Sequence, residues 1–205
     1  MSFSTISVHD FIAALASPQP TPGGGTAAAV AGAMGAGLLM MVAGLSRTRR
    51  NTEDERAALA AVREKLEPLA GALERCADRD TEAFNAVIAA YRLPKASDEE
   101  KATRKAAIGS AMREATEAPL ETVKLAADAL DLAATVVRLG NPSAASDAGV
   151  GAGLLVAAAN GAAANVRINL DGLTDSDFRA NATREMDALV ARVRQAERTL
   201  SAAAG

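Results

Sequence analysis

The chain has 205 residues, 49% of them hydrophobic, with no Trp, one Tyr, four Phe and a formal net charge of -3. That length can bury a real core, and residues 1–205 read as a single domain. Scarce aromatic bulk and abundant Ala and Leu disfavour a β-sandwich and predict an all-α fold, while the acidic balance leaves no basic stripe for nucleic acid.

Val8, Phe11, Ile12 and Leu15 fall at helical spacing and predict a short first helix, ended by the connector Ser17-Pro18-Gln19-Pro20-Thr21-Pro22. His9 stands alone, so it supports neither a zinc site nor a catalytic triad, and no metal is expected. The first ten residues lack the basic-then-apolar pattern of a signal peptide, which predicts a cytoplasmic protein.

Pro22-Gly23-Gly24-Gly25 enters an uncharged run of 20 residues, Thr26 to Leu45, more than half of them Ala or Gly. The run is long enough for a membrane span, but small residues partition weakly into lipid and no aromatic belt flanks it, so no membrane partner is expected. A phosphate-binding loop is also excluded, because neither the P-loop lysine nor a preceding strand is present. Two readings stay open: helix N-terminal amides that receive an anionic or carbonyl-bearing ligand, and a packing seam along Ala28, Gly32, Gly35 and Ala36. Arg47, Arg49 and Arg50 follow the run and complement the negative end of its dipole.

Thr52-Glu53-Asp54-Glu55 reads as a capping box opening an amphipathic helix to about Leu93, with a kink or interruption expected at Pro68. On it, Asp80 shares a face with Phe84, Val87 and Tyr91, which aims a carboxylate inward. Such a carboxylate is either a tuned acid or base, or a group that bonds a neighbouring helix end. Cys76 reads as a small buried hydrophobe and, being unpaired, fits a reducing compartment.

Ser97-Asp98-Glu99-Glu100 caps a second long helix to about Leu139, with Pro119 as its expected kink and Gly140-Asn141-Pro142 as its end. A second Ala/Gly-rich helix spans Asp147 to about Leu170, with Ser146 and Asp147 where N-caps are favoured. Asn165 and Asn169 interrupt its otherwise small or apolar face and need partners. Asp147 and Asn165 are roughly 27 Å apart along one helix, so the ligand is long, two subunits share a site, or the asparagines bond other helices. A last helix starts at Thr174-Asp175-Ser176-Asp177. The whole predicts a bundle of long kinked helices around two Ala/Gly-rich central ones.

Pro22-Gly23-Gly24-Gly25, Asp80-Thr81-Glu82-Ala83-Phe84-Asn85, Tyr91-Arg92-Leu93-Pro94-Lys95, Gly140-Asn141-Pro142, Ser146-Asp147-Ala148-Gly149 and Asn165-Val166-Arg167-Ile168-Asn169, in this order, resemble the formiminotransferase-cyclodeaminase C-terminal family. Where members of that family carry a lysine-rich stretch ending in Tyr, this chain has Arg47-Thr48-Arg49-Arg50-Asn51, keeping the charge without the ring. The resemblance implies an all-α homodimer acting on the one-carbon unit between N5 and N10 of tetrahydrofolate, with no metal or redox cofactor. Asp80 or Asp147 would shuttle the proton, and Asn141, Ser146 and the amides of Gly23, Gly24 and Gly25 would orient the pterin. Lys95, or Arg47, Arg49 and Arg50, would meet the glutamate carboxylates. With no formiminotransferase domain attached, hydrolysis of 5,10-methenyltetrahydrofolate is the first expectation. Formiminotetrahydrofolate cyclodeamination is the second, and a non-catalytic folate-binding scaffold the third.

Overall fold

A computed structural model describes residue 3, residues 5–45 and residues 51–204. Among these residues the secondary structure is entirely helical: α1 (Val8–Leu15), α2 (Gly24–Gly44), α3 (Glu53–Tyr91), α4 (Asp98–Leu139), α5 (Ala145–Asp171) and α6 (Ser176–Ala204). A single 3-10 turn, Pro142–Ala144, links α4 to α5. Arg47, Arg49 and Arg50 lie outside the described residues.

Both predicted capping boxes form. Thr52 and Ser97 each accept from the backbone N–H three residues on, and Glu55 and Glu100 reach back to the cap N–H. Neither proline interrupts its helix: α3 and α4 each run as one continuous helix through Pro68 and Pro119. A proline forfeits one backbone hydrogen bond, but both helices are held on either side, by buried Leu66 and Leu73 in α3 and by buried Ala118 and Leu120 around a buried Pro119 in α4.

The two Ala/Gly-rich helices are central and antiparallel: α2 packs on α3 and α5, and α5 packs on α2, α4 and α6. Gly24 faces Asn165, Gly32 faces Ala158, and Gly35 faces Gly151. The seam predicted at Ala28, Gly32, Gly35 and Ala36 is buried. A Cβ on Gly32 would press on Leu73 at 3.1 Å, and one on Gly35 would fall 2.6 Å from the Gly151 carbonyl oxygen. With hydrogen at both positions the backbones approach closely, and large side chains arrive from outside the pair: Leu59, Leu66, Leu73, Val123, Leu130 and Val193 are all buried.

By length and composition Gly24–Gly44 and Pro142–Asp171 could each cross a membrane, yet here they form the core, with 44% of each apolar window buried. Their outer sides stay open. Met34 and Met41 on α2, and Val150 and Ile168 on α5, are exposed, Ile168 to 71%. From residue 148 to residue 166, α5 carries no charge.

Candidate active site

The start of α2 has no side chain with which to cap itself, because its N-cap is Gly23. The missing acceptor comes from α3. Asp80 places Oδ2 2.9 Å from the Thr26 hydroxyl, which donates to it, and the Thr26 backbone N–H also bonds this carboxylate. Thr26 Oγ1 lies a further 3.1 Å from Thr81 Oγ1.

Gly25 makes this docking possible. A Cβ there would sit 2.2 Å from Asp80 Oδ1 and 2.7 Å from its Cγ. The glycine entry was expected to let a ligand approach the main chain; at Gly25 it is the Asp80 carboxylate that does so. Gly23 and Gly24 are looser, with the nearest atoms to a built Cβ being the Pro20 carbonyl oxygen at 3.7 Å and Asn165 Nδ2 at 3.8 Å.

Burial raises the Asp80 pKa above the ordinary carboxylate value, against the downward pull of the Thr26 hydroxyl and N–H. The group therefore combines both expected readings: it bonds a neighbouring helix end, and its proton is held more tightly than a free carboxyl's. The predicted face is only partly right. Asp80 turns inward beside Cys76, Ala77, Ala83 and Val87, whereas Phe84 and Tyr91 are exposed. The inward stripe drifts by steps of three, through Ala77, Asp80 and Ala83, so a strict four-residue step from Asp80 leads off the buried side.

Asn165 and Asn169 close this end from α5. Asn165 Nδ2 donates to the Gly161 carbonyl one turn back at 3.0 Å, and Asn169 Nδ2 donates across to the Ala115 carbonyl of α4 at 2.6 Å. Arg79, next to Asp80, bonds Glu114 of α4 at 2.6 Å and fixes α3 against it. Beyond lies a basic cavity of about 340 Å³, lined by Lys95, Lys101, Arg104, Lys105, Gly172 and Thr174 among others. Arg104 is committed to the last carbonyl of α3, donating to Tyr91 O through Nε at 3.3 Å and Nη2 at 3.1 Å. Lys101 pairs with Asp98 at 2.8 Å. From Asn165 to Gly172 the helix rises roughly 10 Å, which sets the scale between the carboxyl and the cations.

Asn141, Ser146 and Asp147 lie at the opposite end of the antiparallel pair. Asn141 accepts from Ser143 N–H at 3.0 Å and caps the 3-10 turn. Ser146 and Asp147 are not the N-caps that were expected; α5 starts at Ala145, and its N-cap is Ala144, with no side-chain bond. The preceding 3-10 turn delivers the chain already coiled, so both residues lie in the first helical turn. A single chain therefore does not bring Asp80 and Asp147 together. Among the described residues no group of three His, Cys, Asp or Glu could hold a metal ion.

Sequence reasoning left Thr26, Thr81, Arg104 and Lys105 out of the site. Thr26 carries a local signal, a hydroxyl directly after the glycine triplet, but its partner is 54 residues away.

The family model described as formiminotransferase-cyclodeaminase matches residues 7–188. The chain is 42% identical over 184 residues to the methenyltetrahydrofolate cyclohydrolase of Methylorubrum extorquens, covering 90% of this chain and 88% of that one. It is 31% identical to the formimidoyltransferase-cyclodeaminase of Sus scrofa, covering 89% of this chain but 34% of that longer protein. The crystal structure of formiminotetrahydrofolate cyclodeaminase from Thermotoga maritima superposes with a TM-score of 0.87 at 28% identity, covering 98% of this chain and 96% of that one. The order of the sequence motifs, the helical architecture and these matches agree, and the chain belongs to the formiminotransferase-cyclodeaminase family.

Proposed function

We propose that the protein hydrolyses 5,10-methenyltetrahydrofolate to 10-formyltetrahydrofolate in the cytoplasm. The observation that carries the direction is the 42% identity, over nearly the full length of both chains, to a methenyltetrahydrofolate cyclohydrolase. Asp80 supplies the proton handling. Water adds to the methenyl carbon as Asp80 takes one of its protons, giving a tetrahedral adduct. Asp80 then returns that proton to N5 as the carbon–N5 bond breaks, and the remaining hydroxyl proton leaves as the formyl C=O forms. No electron changes hands in these steps, so they need no redox partner, and the proton transfers are assigned to Asp80 without a metal. Lys95 and Lys105 at the basic cavity suit the glutamate carboxylates, and the free, buried Cys76 suits a reducing compartment.

The same reading makes the protein a homodimer with a shared site. The uncharged outer stripe of α5 through Val150, Gly153, Ala157, Ala164 and Ile168 offers a self-complementary surface. Antiparallel pairing of two copies of α5 about Ala157 brings Asp147 and Ser146 of one subunit beside Asn165 and Asp80 of the other. It also buries the apolar side that one chain leaves open.

Cyclodeamination is the second reading, favoured by the fold match to the Thermotoga enzyme. Methenyl- and formiminotetrahydrofolate are offered separately to the purified protein and methenyl absorbance is followed, with spontaneous hydrolysis subtracted. Accelerated loss from the first supports hydrolysis, and gain from the second supports deamination. Folate binding by calorimetry with neither change leaves only a binding scaffold.

A further inference from the structure

Thr26 is fully buried at 0% exposure in a helix of Ala, Gly and other apolar residues, where Val would fit the space. Of the other buried threonines among the described residues, Thr116 donates to Met112 O four residues back, and Thr122 lies 3.4 Å from Ala118 O and also bonds the neutral Cys76 thiol of α3. Thr26 sits in the first turn of α2 and is the one of the three that sends its hydroxyl to a carboxylate. A hydroxyl has one proton. When Asp80 is ionised, Thr26 donates that proton to Oδ2, so the 3.1 Å contact with Thr81 must be a bond donated by Thr81. Two hydroxyls thus point in series at one carboxylate oxygen.

We propose that Thr26, backed by Thr81, is a positioning residue that grips Asp80 by Oδ2 and leaves Oδ1, the oxygen over Gly25, to take up and release the working proton. The inference rests on the reading of Asp80 as the proton carrier. Competing charges do not account for the tuning of Asp80. α2 is uncharged, and α5 is uncharged from residue 148 to residue 166. On α3 and α4, Arg79 pairs with Glu114 at 2.6 Å and lies 3.9 Å from Glu117, while Asp78 accepts from Phe3 N–H. Burial of Asp80 and its bonds to Thr26 remain as the forces on its proton.

The test compares Thr26→Val, which keeps the shape and removes the hydroxyl, with Thr26→Ser, which keeps the hydroxyl and removes a methyl. Carbon-13 NMR of labelled aspartate follows the Asp80 carboxyl directly, assigned by its disappearance in Asp80→Asn. The expected result is a midpoint about one to two pH units higher in Thr26→Val, the worth of a hydrogen bond to a charged group expressed per pH unit, and near wild type in Thr26→Ser. The Asp80 limb of the kcat/KM profile for methenyltetrahydrofolate should move with it. An unchanged midpoint in Thr26→Val overturns the role given to Thr26 and leaves the functional reading standing. A midpoint that moves while the rate profile stays fixed retains the grip of Thr26 on the carboxyl and overturns Asp80 as the proton carrier.

Discussion

The two ends of the α2–α5 pair are built differently. At the Gly25 end, a carboxyl is half-buried, bonded by a buried hydroxyl, shifted toward holding its proton, and fitted against a glycine with no room for a methyl group. At the Asp147 end, polar side chains stand in an open first helical turn, and Asn141 merely caps its own 3-10 turn. One end has its chemistry assembled within the chain; the other presents groups that act on whatever is brought to them. If both belong to one reaction, the second end serves the first of a neighbouring copy.

The sharpest way to break that comparison is to disable each end separately. Asp80→Asn should cut kcat/KM for methenyltetrahydrofolate by about 10²–10⁴-fold over the subtracted spontaneous rate. Asp147→Asn should lower it less, because its side chain is not held in a bonded cluster. Mixing the two variants under conditions that exchange subunits should restore about a quarter of wild-type activity, since half the dimers are hybrids and each hybrid has one intact site. No recovery in exchanged hybrids would sink the shared site.

The next effect concerns glycines. Gly25→Ala forces the Asp80 carboxylate to move and should lower both turnover, by roughly 10²-fold, and stability, by about 1–3 kcal/mol. Gly153 on the open face of α5 has nothing within 4 Å of a built Cβ. Gly153→Ala should therefore be neutral or stabilise the monomer by about 0.5–1 kcal/mol in chemical denaturation. A gain at Gly25→Ala equal to that at Gly153→Ala would mean that only helix propensity counts at Gly25 and that its missing Cβ gives Asp80 no needed clearance.

A smaller change is expected at the basic cavity. Lys95→Glu should raise KM by about tenfold or less with kcat retained, and raising the ionic strength should narrow the gap between variant and wild type. A fall in kcat at constant KM would remove Lys95 from substrate binding.

The smallest effect is on stability against pH. The folded pKa of Asp80 lies above its unfolded value, so its contribution is fully present below the unfolded pKa and is lost as pH rises through the folded one. Asp80→Asn should accordingly gain in Tm relative to wild type between acidic and neutral pH, by a few degrees at most. A relative gain in the opposite direction would mean that the bonds from Thr26 outweigh burial.

Much of the fold was legible because its determinants are local. The capping boxes at Thr52 and Ser97 pair groups three residues apart, and the Ala/Gly composition of α2 and α5 announces close packing before any partner is known. The site was legible in part. Asp80 pointed inward as its neighbours implied, and the distance between Asp147 and Asn165 was fixed by helix rise alone. Phe84 and Tyr91 were misplaced because a stripe on a long helix drifts around the axis, and Ser146 and Asp147 lost the capping role because a 3-10 turn precedes them.

By itself the sequence determined what depends on neighbours within a turn or two: helix starts, the uncharged stripes, and the family to which the ordered motifs point. Tertiary structure decided what depends on residues brought together from distant segments. Thr26 and Asp80 are 54 residues apart, and neither their hydrogen bond nor the clearance Gly25 gives the carboxylate follows from any local pattern. Chain connectivity sets a helix, whereas the balance between burial and hydrogen bonding that tunes a carboxyl exists only once three helices have closed around it.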